Sequence, residues 1–526
     1  MQLSTSSLIG TNRVPSETER EEIHHVLRDR KFRLTALEGA NMFSGTLAIS
    51  FHKIRDDFQS EISALLALLS PSRRLAPELV ALIFEFCLPN RELRASEFRA
   101  NEAPLLIAQI CRGWRHVALS TPRLWTRMSI CLPLGRLPQS AWITAIAQAS
   151  FASLLWLSRS GNHKLHIYVQ YDRSNESDGS QMWLLAATEL ISRLLHRHGS
   201  RIESFLVSLP VPCVSPLLRA SCPSMRKLVV IDNGLWQPGD YHAQTQVGIY
   251  LAGRLRHLVL DTSAFDLRRT RYPWDQLTTL SLRQQFPITL PDCISLLSMC
   301  HRLHTFKVLI GATGIAPDEY FVVPTLRELW LYGGPNQSGP FLDAISIPDL
   351  KTLVIGDGYH QSSVLDFLQR LSRPLSSLHF HRIYNMSEGE LLDVLKLVPS
   401  LVELNTASTC HNLILDMLTP EDNFEPLCPR LESLTMRLHL ANEQLVELLD
   451  ARSGTDFVDQ GVVRLKKAHL TFMDADQRNE TWEWDDVAWM RKVDQWRLKG
   501  MDMQVSDFDW NDSEAWDGAF AHVFGE

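Results

Sequence analysis

The chain has 526 residues, 45% of them hydrophobic and 21% charged, and its formal net charge is -8. This length exceeds the usual size of one domain, so at least two domains with a large buried core are expected. The acidic balance argues against a nucleic-acid partner. The lack of an amino-terminal apolar segment or a long apolar run argues against secretion and membrane insertion, which leaves a cytosolic or nuclear location.

The first 70 residues predict a disordered start followed by a helical leader. Ser16 and Glu19 have the spacing of a capping box, and apolar residues recur at helical spacing over residues 23–37 and 54–69. These helices are interpreted either as a coiled-coil or dimerisation element, or as a support that packs on the next segment. Uninterrupted heptads are missing, so packing on the next segment is favoured.

Residues 71–127 predict a small bundle of two or three helices. Pro77 suits the first turn of a helix, and Leu88 before a proline ends it. A second apolar stripe runs from Leu105 to Ala118. The residues expected to share a face of the first helix are Leu79, Leu82, Ile83 and Phe84. So small a bundle buries little surface, so a partner can complete it; a hairpin that only caps the following domain is the alternative.

From residue 202 onward the pattern L-x-x-L-x-L, with other apolar residues allowed, recurs eleven times. The units begin between Ile202 and Leu465, and ten steps give a mean period near 26 residues. Alternation within each unit predicts a short strand with one buried face, and stretches such as 364–371 and 391–395 predict helices. Stacked units predict a parallel strand layer backed by helices. Strands over 128–132 and 165–171, with helices over 140–157 and 181–196, would start this layer directly after Trp125.

The carboxyl-terminal segment is acidic and rich in tryptophan. Residues 474–526 contain fourteen acidic residues against five Lys or Arg. A helical stripe over 487–498 and alternation over 501–505 predict one more helix-strand unit. We interpret residues 480–508 as a cap that covers the last repeat, with a partner-binding peptide as the alternative, and residues 509–526 as an acidic tail.

The sequence contains no motif that indicates catalysis or metal binding. GxxxxGK[ST], GxSxG, HExxH and paired CxxC patterns are missing. His379 and His381 would lie on one side of a strand, but ordinary strand positions are the favoured interpretation. The nine cysteines lie mostly in apolar runs and predict buried thiols. No metal ion or cofactor is expected.

The segment 69–125 resembles an F-box. Residues 69–79 fit the LSPxRRLxPEL opening that fungal proteins of this family carry after a helical leader, and Ile110 to Arg115 and Leu124-Trp125 fit later parts of the pattern. The insert 91–103 departs from it. The resemblance implies binding to a Skp-type adaptor, which bridges to a cullin in ubiquitin ligases. The implied adaptor-binding residues are Leu75, Pro77, Leu79, Ile83, Phe84, Leu88, Ile110, Cys111, Trp114, Leu124 and Trp125.

The repeats resemble leucine-rich repeats in a degenerate form. Asn233 matches the family's ladder position, whereas later units place other residues there, such as Ser263, Gly311 and Thr409. An F-box followed by degenerate leucine-rich repeats is the layout of many substrate receptors. The expected fold is therefore an α/β chain, in which a helical F-box precedes a leucine-rich-repeat-like α/β solenoid with a parallel strand layer. The expected divisions are 1–70, 71–127, 128–508 and 509–526.

The resemblance implies a non-catalytic subunit that recognises substrates for a Skp-cullin-F-box ubiquitin ligase. A repeat scaffold without a role in ubiquitination is the alternative, and a hydrolase hidden in irregular loops would require a clustered nucleophile and base. Outward strand positions are the expected target-binding face, with loops at the strand ends as the alternative. Trp330 and Tyr332 are the expected anchors. The candidate residues are His257, Asp261, Arg283, Lys307, Glu328, Trp330, Tyr332, His379, His381, Glu403, Asn405, Arg437, Lys467 and His469.

Overall fold

The structure is a computed structural model and divides into two compact units. The first comprises residues 1–130 and 148–165, and the second comprises residues 131–147 and 166–526. The described residues are Leu8 and the ranges 13–41, 48–89, 98–132, 139–171, 181–218, 220–231, 253–261, 273–282, 288–311, 320–356, 358, 360–381, 386–409, 412–421, 426–438, 443–454, 461–472 and 486–507. The predicted acidic tail lies outside them.

The first unit begins with two long helices, α1 (Glu17–Asn41) and α2 (Ala48–Leu69). The capping box is confirmed, since Ser16 N donates to Glu19 at 2.7 Å and Glu19 N donates to Ser16 Oγ at 3.3 Å. The two helices share a core of Leu8, Ile23, Leu27, Ile62, Leu65 and Leu68. Arg30 and Glu61 form an ion pair across them at 2.9 Å. Each leader helix therefore buries its apolar stripe against the other, an outcome that neither sequence interpretation included.

Short helices follow in the first unit. They are α3 (Pro77–Phe86), α4 (Ile107–Ile110) and α5 (Arg112–Ser120), with 3-10 turns at Pro71–Arg74 and Pro122–Trp125. Pro77 lies in the first turn of α3, as predicted. Cys111 caps α5, because its Sγ accepts from Trp114 N at 3.4 Å. Trp125 Nε1 donates to Ala118 O at 2.9 Å, which ties the last turn to α5.

The chain also contains a large parallel sheet of fourteen strands. Its strands follow chain order, while two further short strands, Phe321–Val322 and Ile345–Ser346, pair separately with each other. The strands are β1 Arg127–Leu132, β2 Leu165–Tyr171, β3 Ile202–Ser208, β4 Lys227–Ile231, β5 His257–Asp261, β6 Thr279–Leu282, β7 Thr305–Leu309, β8 Phe321–Val322, β9 Glu328–Tyr332, β10 Ile345–Ser346, β11 Thr352–Gly356, β12 Ser377–His381, β13 Glu403–Thr409, β14 Ser433–Leu438, β15 Lys467–Phe472 and β16 Asp502–Asp507.

Helices connect many of these strands. They are α6 Gln139–Arg159, α7 Gln181–His198, α8 Leu290–Met299, α9 Pro335–Ala344, α10 Gln361–Gln369, α11 Glu388–Leu397, α12 Asn412–Leu418, α13 Glu443–Ser453 and α14 Asp486–Leu498. The eleven L-x-x-L-x-L units coincide with β3 to β7, β9 and β11 to β15, so the predicted strands and their parallel order are confirmed. The predicted helix-strand unit near the carboxyl end is also confirmed as α14 and β16.

The core of the second unit lies on one side of the strand layer. Strand register aligns the second leucine position of successive units, and these side chains are 0–1% exposed: Phe205, Leu228, Leu258, Leu280, Phe306, Leu329, Leu353, Leu378, Leu404, Leu434 and Ala468. Helices contribute buried residues such as Leu296, Phe341 and Phe367. A single repeat cannot bury both its strand and its helix, so each repeat depends on its neighbours in the sheet.

A buried arginine joins two neighbouring repeats within the second unit. Arg452 in α13 is 1% exposed, and its guanidinium donates to the carbonyl oxygens of Leu418, Leu427, Cys428 and Pro429 at 2.8 to 3.4 Å. Leu418 ends α12, where carbonyl groups lack partners within the helix. Burial lowers the pKa of Arg452 to about 10, so the side chain remains charged near neutral pH.

Five of the cysteines are buried as expected, namely Cys213, Cys222, Cys293, Cys300 and Cys428. Burial raises the pKa of Cys222 to about 11 and that of Cys300 and Cys428 to about 12. The prediction of burial is wrong for Cys87 and Cys131, which are exposed because they lie at the end of α3 and near the end of β1. Cys410 lies outside the described residues. None of the described helices combines the length and apolar character needed to cross a membrane.

Candidate functional site

Helix α3 presents an apolar stripe to solvent. Val80 and Phe84 are its buried residues, and Phe84 packs edge-on against Trp114 with ring centroids 5.1 Å apart. Four large apolar side chains on the helix are 44 to 82% exposed: Leu79, Leu82, Ile83 and Phe86. Their spacing of three and four residues places them on one side. We call these four residues the α3 stripe; it is an unusual concentration of exposed apolar side chains for a ten-residue helix.

The residues implied by the F-box resemblance separate into three groups. Leu75, Pro77, Leu79, Ile83 and Ile110 are exposed, while Leu88, Cys111 and Trp114 are half-buried. Phe84, Leu124 and Trp125 are 0–1% exposed. The Trp125 ring contacts Trp156 at 4.9 Å and lies under the Arg159 guanidinium at 4.5 Å. These three side chains therefore hold the first unit together, and a partner contact formed by this conformation does not include them.

Two exposed residues were missed as candidates, Phe86 and Leu106, and Leu82 was recognised only as part of a helix face. A stripe at 79, 82, 83 and 86 is visible in the sequence. It competes with the pair Val80 and Phe84, which has equally good helical spacing. Periodicity therefore shows two apolar sides without showing which one the molecule buries.

On the outward side of the strand layer, register places five residues in one row. They are Lys307, Trp330, Val354, His379 and Asn405, from β7, β9, β11, β12 and β13. Lys307 Nζ lies 4.1 Å from the centroid of the Trp330 ring, and the His379 ring lies 6.4 Å from it on the other side. Trp330 is half-buried, whereas Lys307 and Val354 are buried. The row presents an aromatic surface bordered by a cation and an imidazole.

A hydrogen-bonded cluster continues from this row. Ser377 Oγ lies 2.7 Å from His379 Nε2 and donates to Glu403 Oε2 at 2.8 Å, and the imidazole lies 3.5 Å from the same carboxylate. The hydrogen bond from His379 is the main reason that the pKa of Glu403 falls to about 2. Because the Ser377 proton is directed to the carboxylate, the imidazole does not accept it as a base would from a nucleophile. The cluster fits a polar binding surface.

Tyr332 is not the exposed anchor that the sequence suggested. It is 6% exposed, and its ring meets His381 at 6.2 Å with an edge-on geometry. A methyl group placed on Gly356, its neighbour in β11, would overlap the Tyr332 ring. The missing side chain at Gly356 therefore gives the ring its space, and Trp330 is the more accessible of the two aromatics.

The remaining strand-face candidates are spread widely. Outside the row, His257, Asp261, Glu328 and His469 are half-buried, Arg437 is buried, Lys467 is exposed, and Arg283 lies outside the described residues; Asn405, within the row, is also half-buried. Cross-strand hydrogen bonds engage several of them, as when His257 Nδ1 contacts Thr279 Oγ1 at 3.1 Å and Thr305 donates to Glu328 at 3.2 Å. The structure therefore brings together a smaller set around Trp330, His379 and Glu403. No group of three His, Cys, Asp or Glu suited to a metal ion occurs within the described ranges.

No family model matches the chain, and a search of curated proteins found no match.

Proposed function

We propose that the chain is the substrate-recognition subunit of a Skp-cullin-F-box ubiquitin ligase. Residues 71–127 would act as an F-box that binds a Skp-type adaptor, and the leucine-rich-repeat-like second unit would bind target proteins. The chain performs no bond chemistry in this role. It holds a target near the ubiquitin-transfer machinery, so that transfer gains from proximity.

The α3 stripe is the observation that carries the proposal. Its four side chains remain exposed although Val80 and Phe84 already supply the contacts that α3 needs inside its own unit. Fully burying side chains of this kind contributes about 1.5–3 kcal/mol each. Because the four side chains are 44 to 82% exposed, burying the exposed part gives a gross gain of about 3–7 kcal/mol, which reaches the lower end of the cost of association. An apolar helix face of this type fits a groove on a helical partner.

The second unit supports the target-binding half of the proposal. Its parallel layer sets the row from Lys307 to Asn405 at fixed spacing across neighbouring strands. The row contains a half-buried tryptophan, and the cluster of Ser377, His379 and Glu403 adjoins the row through His379. This surface combines one aromatic anchor with several polar partners. Interfaces commonly concentrate their binding energy in such anchors.

Co-purification with a Skp-type adaptor and cullin tests the adaptor contact. Leu79→Asp or Ile83→Asp places a charge in the apolar stripe, so adaptor recovery should fall by at least about tenfold. Phe32→Asp is the matched control, because Phe32 is 75% exposed on α1 of the same unit and lies outside the stripe. Full adaptor binding by folded stripe variants would contradict the proposal. A folded wild-type chain that recovers neither adaptor nor cullin would instead be a repeat scaffold without a role in ubiquitination.

A further inference from the structure

A row of basic residues lies where the strands of the second unit begin. The residue after the first leucine position in each unit donates its backbone N–H to the equivalent residue of the preceding unit. The backbone N–H of Arg256 donates to the carbonyl oxygen of Arg226 at 2.9 Å, and the backbone N–H of Lys351 donates to the carbonyl oxygen of Arg327 at 2.8 Å. The same ladder passes through Thr278 and His304 between them, so it fixes the lateral spacing of these side chains across β4, β5, β6, β7, β9 and β11.

We define the basic rim as the six Lys and Arg residues that lie at these ladder positions or in the turns directly before them. They are Arg226, Arg254, Arg256, Arg302, Arg327 and Lys351. Across the same turns, residues 222–226, 253–256, 274–278, 300–304, 323–327 and 347–351, the acidic residues are Asp275 and Asp349. The rim is therefore positive on a chain whose formal net charge is -8. Such segregation creates a local potential that attracts anions.

Part of the rim is already neutralised, and part is not. Arg226 pairs with Glu203 at 3.1 Å, and Asp349 pairs with Arg327 at 3.0 Å. The other four cations, Arg254, Arg256, Arg302 and Lys351, are exposed. Across the described part of the chain, none of these four forms an ion pair. Their mutual repulsion would be relieved by carboxylates from a partner, and arginine binds a carboxylate through two parallel hydrogen bonds.

The dimensions of the rim fit an extended peptide. Neighbouring strands lie about 4.8 Å apart, so the five steps from β4 to β11 span about 24 Å. An extended chain advances about 3.3 Å per residue and would cross the rim with about seven residues. Proteins that bind single-stranded nucleic acid typically combine a basic groove with aromatic side chains on which the bases stack. The aromatic residue of these turns is Trp274, which is 7% exposed.

We propose that the basic rim binds an extended segment rich in Asp and Glu on the target protein. This inference rests on the proposed function, because it assigns a chemical class to the target that the second unit would capture. The rim adds a charged contact at the strand ends to the aromatic contact at Trp330. Charged contacts of this kind increase the rate of encounter and discriminate against basic segments.

Fluorescence anisotropy with the full-length chain tests the inference. The probe is a labelled peptide of about ten residues that alternates Glu with Ser, and the control probe carries Gln in place of Glu. The rim variant combines Arg254→Glu, Arg256→Glu and Lys351→Glu. The matched variant combines Arg193→Glu, Lys396→Glu and Arg491→Glu, which make the same charge change at exposed positions on α7, α11 and α14.

We expect the rim variant to weaken binding of the Glu probe by at least about tenfold and the matched variant by less than about twofold, with weaker binding at higher salt. The single variant Arg256→Gln provides a milder change if the triple variant unfolds. Equal binding by the rim and matched variants would overturn the inference, as would tighter binding of an RNA of equal length through the same residues. Adaptor co-purification on the same proteins keeps the two proposals apart, because loss of the rim contact leaves the α3 stripe intact.

Discussion

Replacing Arg452 by Met should weaken the junction between two neighbouring repeats of the second unit. The guanidinium is 1% exposed and donates to four backbone carbonyl groups, and among the described residues its acceptors are all carbonyls. Met fills similar space but leaves the carbonyls of Leu418 and Leu427 without a donor among the described residues. The carbonyls of Cys428 and Pro429 keep the backbone N–H groups of Leu431 and Val463 as donors. At about 1–2 kcal/mol for each of the two orphaned carbonyls, with smaller losses at the other two and a partial offset because no charge is buried, we expect a loss of about 2–4 kcal/mol.

Arg452→Lys separates hydrogen bonding from charge. Lysine keeps the charge but carries fewer donors at a different position, so a buried ammonium group would remain poorly satisfied. We expect Lys to destabilise the junction at least as much as Met. If charge alone mattered, Lys would behave like the wild type.

Native-state hydrogen exchange is the suitable assay, because repeat chains unfold in parts and a single unfolding midpoint can conceal a local change. Amides of α12 and β14 should lose protection in both variants. Arg193→Met is the control, since Arg193 is 62% exposed and pairs with Glu189 four residues away, a contact worth about 0.3–0.5 kcal/mol. Protection of α12 and β14 within about 0.5 kcal/mol of the wild type in Arg452→Met would refute the reasoning.

Three further predictions concern the outward strand face. Trp330→Ala should preserve adaptor binding and reduce target recovery in proximity labelling, and unchanged recovery would exclude Trp330 as an anchor. Gly356→Val should displace the Tyr332 ring and lower the thermal unfolding midpoint, whereas an unchanged midpoint would show that the ring moves at no cost. Glu403 has a pKa lowered to about 2 from 4.5, so its contribution to stability is full above pH 4.5 and is lost as the pH falls toward 2. Glu403→Gln should reduce the loss of stability over that interval, and an unchanged acid unfolding curve would contradict this.

Much of the fold was predictable because its signals are local. Each L-x-x-L-x-L unit specifies a strand with one buried side, and a mean period near 26 residues leaves room for the crossover connection that parallel strands need. The capping box at Ser16 and Glu19 depends on residues three apart. Helix starts such as Pro77 follow from the geometry of one residue.

The candidate surfaces required tertiary structure, because each depends on residues that are distant in sequence. Helix α3 has apolar residues on two sides, and only packing against Trp114 decides that Phe84 is inside and Ile83 outside. Tyr332 becomes buried because Gly356, from the next strand, leaves room for its ring.

The sequence by itself therefore determined the repeated strands, their parallel order and the helical character of the first unit, since these follow from the period of apolar residues. Only the tertiary structure decided which side chains face solvent and which charges become neighbours. Arg226 and Arg256 are thirty positions apart in the sequence, but the backbone N–H of Arg256 donates to the carbonyl oxygen of Arg226 at 2.9 Å. Strand register, a product of packing between units, places them side by side at the rim.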